Sequence, residues 1–260
     1  MGSTSATKSF NIAIVGGGIS GLTLAIGLHK RNIPVTVYES AASFGEIGAG
    51  VGFEANFVRT MEYISPGIGE GFVRCSNHHQ SEPPKWFDVR IADTRVGDAE
   101  GFVHKRGGEK VKLGDTIFTM PARRGPRGGV HRAHFLDELI KLLPPGIAQF
   151  KKRLADITEA ADGDAVLHFM DGSTAQHTAV IGCDGIKSRT REIVLGEEEA
   201  RPAFSGKYAY RGIIPMQKAV DFMGEEARTP QMYCGYKGHV LTFPIANGTI
   251  FNGRGHFAVQ

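Results

Sequence analysis

The most constraining feature of the chain is the segment Asn11–Leu22, NIAIVGGGISGL, in which an apolar run ends in glycines and a second apolar run follows. Residues 10–15 predict a buried parallel strand, residues 19–32 a helix, and residues 33–39 a second strand. The first forty residues therefore predict a βαβ unit, and the chain is expected to adopt an α/β fold.

Three glycines in this segment, Gly16, Gly18 and Gly21, form the pattern G-x-G-x-x-G between the predicted strand and helix. Gly16 permits a tight turn, Gly18 lets the backbone approach a pyrophosphate, and Gly21 allows close packing of the helix on the strand. The N–H groups and the dipole at the helix start favour an anion. The pattern predicts a dinucleotide site without deciding between NAD and FAD.

Glu39 ends the second predicted strand, at the distance where an acidic side chain can accept hydrogen bonds from an adenosine ribose. A carboxylate there disfavours a 2′-phosphate, because two like charges about 4 Å apart repel by about 1–4 kcal/mol. Glu39 therefore strengthens the prediction of a dinucleotide site.

The composition argues against several kinds of partner. The net charge of +3 gives no reason to predict a nucleic-acid or membrane partner, and no stretch is long and apolar enough for a membrane span. Three widely spaced cysteines predict reduced thiols in a cytoplasmic protein. His131 and His134 lie three residues apart, but no further ligand has suitable spacing, so no metal site is predicted.

The rest of the chain predicts a mixture of strands and helices. Residues 131–146 predict a helix that ends at a pair of prolines, and residues 153–182 predict a β-meander followed by a buried strand. Residues 41–130 are rich in glycine, proline and charge, and we interpret them as irregular connections with a few strands. Residues 207–252 predict strands around one short helix.

Three segments resemble, in order and at plausible spacing, motifs of the class A flavoprotein aromatic hydroxylases, which are salicylate-hydroxylase-like FAD-dependent monooxygenases. The segments are EIGAGVGFEANFVRTMEYI (46–64), VHRAHFLDEL (130–139) and DGSTAQHTAVIGCDGIKSRTRE (171–192). The resemblance runs from residue 11 to about residue 252. It implies a Rossmann-like FAD-binding domain of three layers, with a parallel sheet and a β-meander, interleaved with a mixed-sheet substrate domain.

The resemblance also implies a function and a set of site residues. The implied function is hydroxylation of a phenolic or aromatic-acid substrate with FAD, NAD(P)H and O2. Arg211 is implied to orient the substrate as the catalytic residue, and Phe243 lines the substrate pocket where many relatives have tyrosine, which implies a different substrate or impaired activity. The residues implied to hold FAD are Gly16, Gly18, Gly21, Glu39, Gly48, Ala49, Gly50, Gly52, Arg132 and Asp184.

The implied domains are an FAD-binding domain at 8–70 and 130–200, substrate-domain segments at 71–129 and 201–252, and a divergent tail at 253–260. Members of the family continue past this point and carry a second flavin motif resembling GDAAH, which this sequence does not contain. The chain is therefore expected to be truncated and to lack most of the half-site for the flavin ring.

Three functions stay open on this basis. The first is the monooxygenase reaction, and the second is a catalytically inactive fragment that binds adenine nucleotides. The third is an NAD-dependent oxidoreductase that uses the same fingerprint, although the segment IGCDGIKSR after a meander argues against it. The substrate and the oligomeric state are not predicted.

Overall fold

The computed structural model describes residues 10–44, 50–76, 85–93, 112–122 and 127–258. The strands, in chain order, are β1 (Ile12–Val15), β2 (Val35–Tyr38), β3 (Gly50–Phe53), β4 (Lys85–Ile91), β5 (Thr116–Pro121), β6 (Gly128–His131), β7 (Ala148–Gln149), β8 (Leu154–Glu159), β9 (Ala165–Phe169), β10 (Thr174–His177), β11 (Ala179–Gly182), β12 (Lys207–Pro215), β13 (Gln231–Gly235), β14 (Gly238–Ile245) and β15 (Ile250–Ala258). The helices are α1 (Ile19–His29), α2 (Ala55–Ile64), α3 (Pro66–Cys75), α4 (Arg132–Ile140), α5 (Arg189–Leu195), α6 (Glu197–Ala200), α7 (Met216–Met223) and a 3-10 helix at Gly224–Arg228.

The chain divides into two compact units, of which unit 1 comprises Met1–Gly45, Met61–Ile68 and Leu136–Ala203. Its parallel sheet has the strand order β11-β1-β2-β7, so the N-terminal strand lies in the middle and is paired on both sides. Strands β8, β9 and β10 form a separate antiparallel meander. These elements confirm the predicted Rossmann-like domain with its βαβ unit and its meander.

The parallel sheet is covered on both faces, which explains why β1 is apolar at every position. Ile14 belongs to a core cluster with Ala25 of α1, whereas the next residue, Val15, belongs to a cluster with Leu167 and Phe169 of the meander. Because successive side chains of a strand point to opposite faces, β1 contributes to both cores. Unit 1 therefore has three layers, in the order helix, parallel sheet and meander.

Unit 2 comprises Glu46–Thr60, Gly69–Phe135 and Phe204–Gln260. Its mixed sheet has the strand order β12-β15-β14-β13-β4-β5, in which only β13 and β4 pair in parallel among the described strands. A two-stranded antiparallel pair, β3 with β6, lies beside β14. Phe53, Phe72 and Phe135 pack edge to face beneath this pair and are at least nine-tenths buried.

Two features of unit 2 and its neighbourhood differ from the sequence-based expectation. Residues 55–75, predicted as irregular, form α2 and α3. Val58 and Met61 are buried three residues apart, and Pro66 occupies the first position of α3, where its missing N–H costs nothing. Residues 253–258, predicted as a divergent tail, continue β15 and pair with both β12 and β14.

The compact units also divide the chain differently from the predicted domains. Residues 46–60 and 130–135 belong to unit 2, whereas the prediction placed them in the FAD-binding domain. They do so because β3 and β6 pair with each other and lie beside β14 of the mixed sheet. Which ligand each domain serves stays a prediction.

Within the described residues, none of the helices combines the length and the apolar character needed to span a bilayer.

The carboxylate of Asp184, just after β11, holds the start of α5. Oδ1 accepts hydrogen bonds from Ser188 Oγ at 2.6 Å and from Thr190 Oγ1 at 2.7 Å, and Oδ2 accepts one from Thr190 N at 3.0 Å. Ser188 Oγ in turn accepts from Arg191 N, which confirms the prediction that Ser188 caps a short helix. Burial alone would raise the pKa of Asp184, but the hydrogen bonds outweigh it, so the pKa lies below its usual value.

We expect the substitution Gly21→Ala to destabilise unit 1 by about 1–3 kcal/mol, because a Cβ at this position would overlap the carbonyl oxygen of Gly16. Urea unfolding measures the change. Gly27→Ala on the same helix is the control, since its Cβ would meet side-chain atoms and no backbone, namely Ile64 Cγ2 at 3.1 Å and Arg31 Nη1 at 3.8 Å, and alanine favours the helix. Equal stability of the two variants would contradict this packing.

The variant Asp184→Asn is expected to lose about 1–3 kcal/mol of unfolding free energy at pH 7, because an amide replaces one acceptor oxygen with a donor. The depressed pKa stabilises the fold above the unfolded value of about 4 and this contribution is lost as the pH falls through the folded value. The difference between wild type and variant should therefore shrink below pH 4. Asp156→Asn, at an exposed position of β8, serves as the control. A pH-independent difference would be the contrary result.

Candidate functional site

The glycine-rich loop of unit 1 lies where β1, β11 and α1 meet. Gly16 has φ of 106°, in the left-handed region, and a Cβ there would overlap the carbonyl group of Cys183. Gly16 N donates to Tyr38 O at 2.8 Å, and Cys183 N donates to Val15 O at 2.7 Å. The loop is therefore tied to both neighbours of β1 and admits no side chain at its first glycine.

The start of α1 is open to an anion. Gly18 is the N-cap residue, no side chain caps the helix, and its first turn carries no acidic residue. Four N–H groups at a helix start have no partner within the helix, and the dipole gives this end a partial positive charge. The geometry fits a pyrophosphate, as the spacing of Gly16, Gly18 and Gly21 predicted.

Glu39 is bound to the middle of the same loop. Its Oε2 accepts a hydrogen bond from Gly17 N at 2.7 Å, and its Oε1 accepts from Ala41 N at 2.7 Å and from Ser40 Oγ at 3.2 Å. A Cβ on Gly17 would lie 2.6 Å from the ring of Phe44 and 3.0 Å from Glu39 Oε2. Glu39 therefore fixes the loop with one carboxylate oxygen while its side chain stays only partly buried beside the helix start.

Unit 2 contains a cavity of about 340 Å³. Its volume lies at the lower end of the range of about 300–1,000 Å³ that is typical of small-molecule pockets. The lining is largely apolar and aromatic, with three cationic side chains. The lining residues are Gly50, Val51, Gly52, Lys85, Trp86, Phe87, Arg127, Gly128, Gly129, Pro230, Leu241, Phe243, Pro244 and Arg254.

Glycines let the β3–β6 pair approach the sheet closely along one wall of this cavity. Gly50 N donates to Asn252 Oδ1 at 3.0 Å, and a Cβ on Gly50 would lie 2.9 Å from both Asn252 and the ring of Phe243. A Cβ on Gly129 would also lie 2.9 Å from that ring. At Gly52, in contrast, the nearest atoms belong to the Trp86 ring at 3.5 Å, an ordinary contact. Packing of the two layers therefore accounts for Gly50 and Gly129, whereas Gly52 borders open space.

Among the cationic side chains that line the cavity, Arg254 has a buried donor atom without a described protein partner. Its Nε atom is buried without a hydrogen-bond partner in the described part of the chain. It lies directly opposite Arg211 of β12 and Leu241 of β14. Burial, and then the charge of Arg211, lowers the pKa of Arg254. The side chain thus offers a hydrogen-bond donor and a positive charge that no described protein group uses.

The predicted site residues fall into two groups. Unit 1 brings together Gly16, Gly18, Gly21, Glu39 and Asp184, and unit 2 brings together Gly50, Gly52, Arg132, Arg211 and Phe243. The roles assigned to these residues stay predictions.

In the second group, Phe243 lines the cavity, whereas Arg211 lies on the exposed strand β12 next to Arg254 and does not line the cavity itself. Arg132 is the first residue of α4, immediately after β6. Gly48 and Ala49 lie outside the described residues.

Four residues that shape these sites were not singled out from the sequence: Gly17, Trp86, Gly129 and Arg254. Gly17 is not part of the G-x-G-x-x-G pattern, which uses only two of the three consecutive glycines. Arg254 lies in NGRGHF, where small and long side chains alternate; this alternation was the available signal for a strand with one functional face. Trp86 and Gly129 had no comparable signal, because their role depends on tertiary contacts.

Comparisons with known proteins agree with this geometry. Residues 14–50 match the model of the NAD(P)-binding Rossmann-like domain. The FAD-dependent monooxygenase pigN of Monascus ruber is 42% identical over 96% of this chain and 55% of its own length. The 6-methylsalicylate 1-monooxygenase atA of Aspergillus terreus is 41% identical over 93% of this chain and 52% of its own length.

A solved structure of a salicylate hydroxylase in a substrate complex superposes with a TM-score of 0.70 at 29% identity, covering 98% of this chain and 57% of that one. The chain spans about half the length of the curated relatives it matches. By its fold and over nearly its whole length, the chain is thus similar to FAD-dependent monooxygenases, among them salicylate hydroxylases.

Proposed function

We propose that this chain carries the adenine-nucleotide site and part of the substrate pocket of an FAD-dependent monooxygenase. The reaction would be hydroxylation of a phenolic or aromatic-acid compound with NAD(P)H and O2. The observation that carries the proposal is the glycine loop at the end of β1, with an uncapped helix start on one side and Glu39 on the other. The cytoplasmic location expected from the few cysteines is part of the same proposal.

The residues of the loop fit the adenosine diphosphate part of FAD. The helix start would hold the pyrophosphate, and Gly17, where a Cβ would clash with Phe44, keeps the loop backbone close to Glu39. A carboxylate has about four acceptor sites, and Glu39 uses three of them within its own chain, which leaves capacity for a ribose hydroxyl. FAD, when bound and reduced, would supply the oxygen chemistry that the side chains of this protein cannot perform.

Asp184 is better suited to positioning than to direct contact. Its carboxylate already accepts three hydrogen bonds from Ser188 and Thr190. We propose that it fixes the turn after β11, next to Gly16, and so keeps the carboxyl end of the parallel sheet in shape. In open α/β sheets this end is where ligands bind.

The cavity of unit 2 fits the substrate side of the reaction. Trp86 and Phe243 provide flat apolar surface for an aromatic ring, and Arg211 with Arg254 provides positive charge nearby. Phe243 cannot donate a hydrogen bond, so a substrate hydroxyl would depend on other donors. Arg211 would orient the substrate through its charge, as the resemblance implied.

The ADP-binding role of Glu39 is tested directly with the substitution Glu39→Ala. Loss of the carboxylate leaves Gly17 N and Ala41 N without their acceptor, so we expect ADP affinity to fall about 10- to 100-fold. Isothermal titration calorimetry measures it. Glu62→Ala, an exposed position in the same unit, should leave affinity unchanged. Wild-type protein should also bind ADP more tightly than 2′-phospho-ADP, and equal affinity for the two would count against a ribose-facing carboxylate.

The flavin reaction is tested by NAD(P)H oxidation with added FAD and a panel of phenols and aromatic acids. A rate that depends on both FAD and the aromatic compound, with hydroxylated product, supports the monooxygenase. Binding of ADP without any such turnover supports instead the non-catalytic adenine-nucleotide-binding protein. Reduction of NAD by an alcohol or hydroxy acid without flavin would favour the NAD-dependent oxidoreductase and overturn the proposal.

A further inference from the structure

Five basic side chains lie together on one face of the mixed sheet: Lys207, Arg211, His239, Arg254 and His256. We call them the cationic cluster. In the described part of the chain none of them forms a hydrogen bond or an ion pair with an acidic group. His239 and His256 instead stack on each other with ring centroids 4.8 Å apart. The charges that lower the pKa values of Arg254 and of both histidines, after burial, all come from basic residues of this cluster.

The register of the sheet explains how these residues come to share one face. Arg211 is opposite Arg254 in the pair β12–β15, and His239 is opposite His256 in the pair β14–β15. Residues directly opposite each other in an antiparallel pair point to the same side. Arg254 and His256 are two residues apart and therefore point to that side as well. Like charges opposite each other are destabilising, so the arrangement is costly without an anion.

Arg90, on the same sheet, shows how this fold satisfies a structural arginine. Its Nε donates to Gln231 Oε1 at 2.7 Å, its Nη1 donates to Gly114 O at 2.9 Å, and its Nη2 pairs with Glu226 at 2.9 Å. Arg254 has none of these contacts, and its Nε is buried. A buried donor that finds no acceptor is uncommon in folded proteins, and it points to a ligand that supplies one.

The cavity gives that ligand its shape. Arg254 lines it together with Leu241 and Phe243, which lie on the same face of β14, and with Trp86 of β4. Asn252, two residues before Arg254, is already occupied by Gly50 N. Arg254 is therefore the first polar side chain along β15 without a protein partner in the described part of the chain, and it lines a largely apolar and aromatic space whose other cations are Lys85 and Arg127.

We propose that Arg254, with Arg211 beside it, is an anion subsite of the cavity that binds the carboxylate of a small aromatic acid whose ring lies against Trp86 and Phe243. This rests on the proposed function and narrows it, since neutral phenols would not satisfy the pair of arginines. Arg254 is thus a specificity-determining residue, and Arg211 contributes charge from the neighbouring strand.

Benzoate and benzamide are suitable probes, because they share shape and ring and differ in charge. Their binding is followed by the fluorescence of Trp86, the single tryptophan of the chain, and by calorimetry. We expect benzoate to bind wild type at least about tenfold more tightly than benzamide at low ionic strength, with a preference that declines as salt is added. Equal affinities, or no binding of benzoate, would overturn the proposal.

Arg254→Gln should reduce the preference for benzoate to within about twofold, and Arg211→Gln should reduce it partly. The control is Arg228→Gln, because Arg228 pairs with Glu225 and does not line the cavity, so this change should leave the preference intact. A benzoate preference that survives in Arg254→Gln would contradict the assignment. Neither probe needs FAD, so failure of flavin binding or turnover leaves this result readable.

Urea unfolding of the unliganded variants is a second measurement, and it distinguishes the proposed binding role of Arg254 from a structural role. Removal of an unpaired, partly buried charge next to Arg211 should leave the urea midpoint of Arg254→Gln unchanged or raise it. Arg90→Gln, which breaks three contacts, should lower the midpoint. A fall in the midpoint of Arg254→Gln as large as that of Arg90→Gln would mean that Arg254 serves the fold, and would overturn the proposal.

Discussion

The contact between the backbone of Gly16 and the carbonyl of Cys183 is the constraint on which unit 1 depends. It brings the end of β1 against the end of β11, and it leaves no room for a side chain. Gly21 meets the same loop from the helix side, against the carbonyl of Gly16. The neighbouring elements β1 and α1 and the distant strand β11 thus converge on one backbone turn. The uncapped helix start and Glu39 derive their positions from that turn.

Unit 2 likewise depends on a close approach of two layers, here the β3–β6 pair and the mixed sheet. Gly50 and Gly129 give the β3–β6 pair its close contact with Phe243, and Asn252 fixes the pair through one hydrogen bond. The buried side chains of Phe72 and Phe135 pack against Phe53 of this pair. The cavity lies next to this contact. Its positive charge comes in part from Arg254, which follows Asn252 on the same face of β15.

The sequence predicted much of unit 1 because the relevant signals are local. Strand, turn and helix follow one another within forty residues, and Ser188 caps its helix three residues from the N–H it binds. Unit 2 was harder to predict, because its sheet pairs β4 with β13 across about 140 residues of chain. Its glycines are also required by tertiary contacts, which local sequence does not show. Helices α2 and α3 were missed because their local helix propensity is weak and packing decides their form: α3 contains three glycines, and α2 contains several β-branched and aromatic residues.

Among the site residues, the glycines and Glu39 could be predicted because a strand–turn–helix motif carries them. Arg254 was missed because residues 253–260 were predicted as a divergent tail, and because the role of the arginine depends on the groups that surround it. The hydrogen bonds that Asp184 accepts could likewise not be predicted, because they depend on the three-dimensional arrangement of the start of α5.

The bond from Gly17 to Glu39 has a consequence for how such a loop can evolve. Under the proposed function one carboxylate has two roles: it supports the loop through Gly17 N, and it would face the sugar of the nucleotide. Replacing this acid with a basic or small residue would remove its repulsion of a phosphorylated ribose. It would also remove the acceptor that supports the loop at Gly17. Cofactor preference and loop integrity are inherited together, so a change of preference needs at least two substitutions.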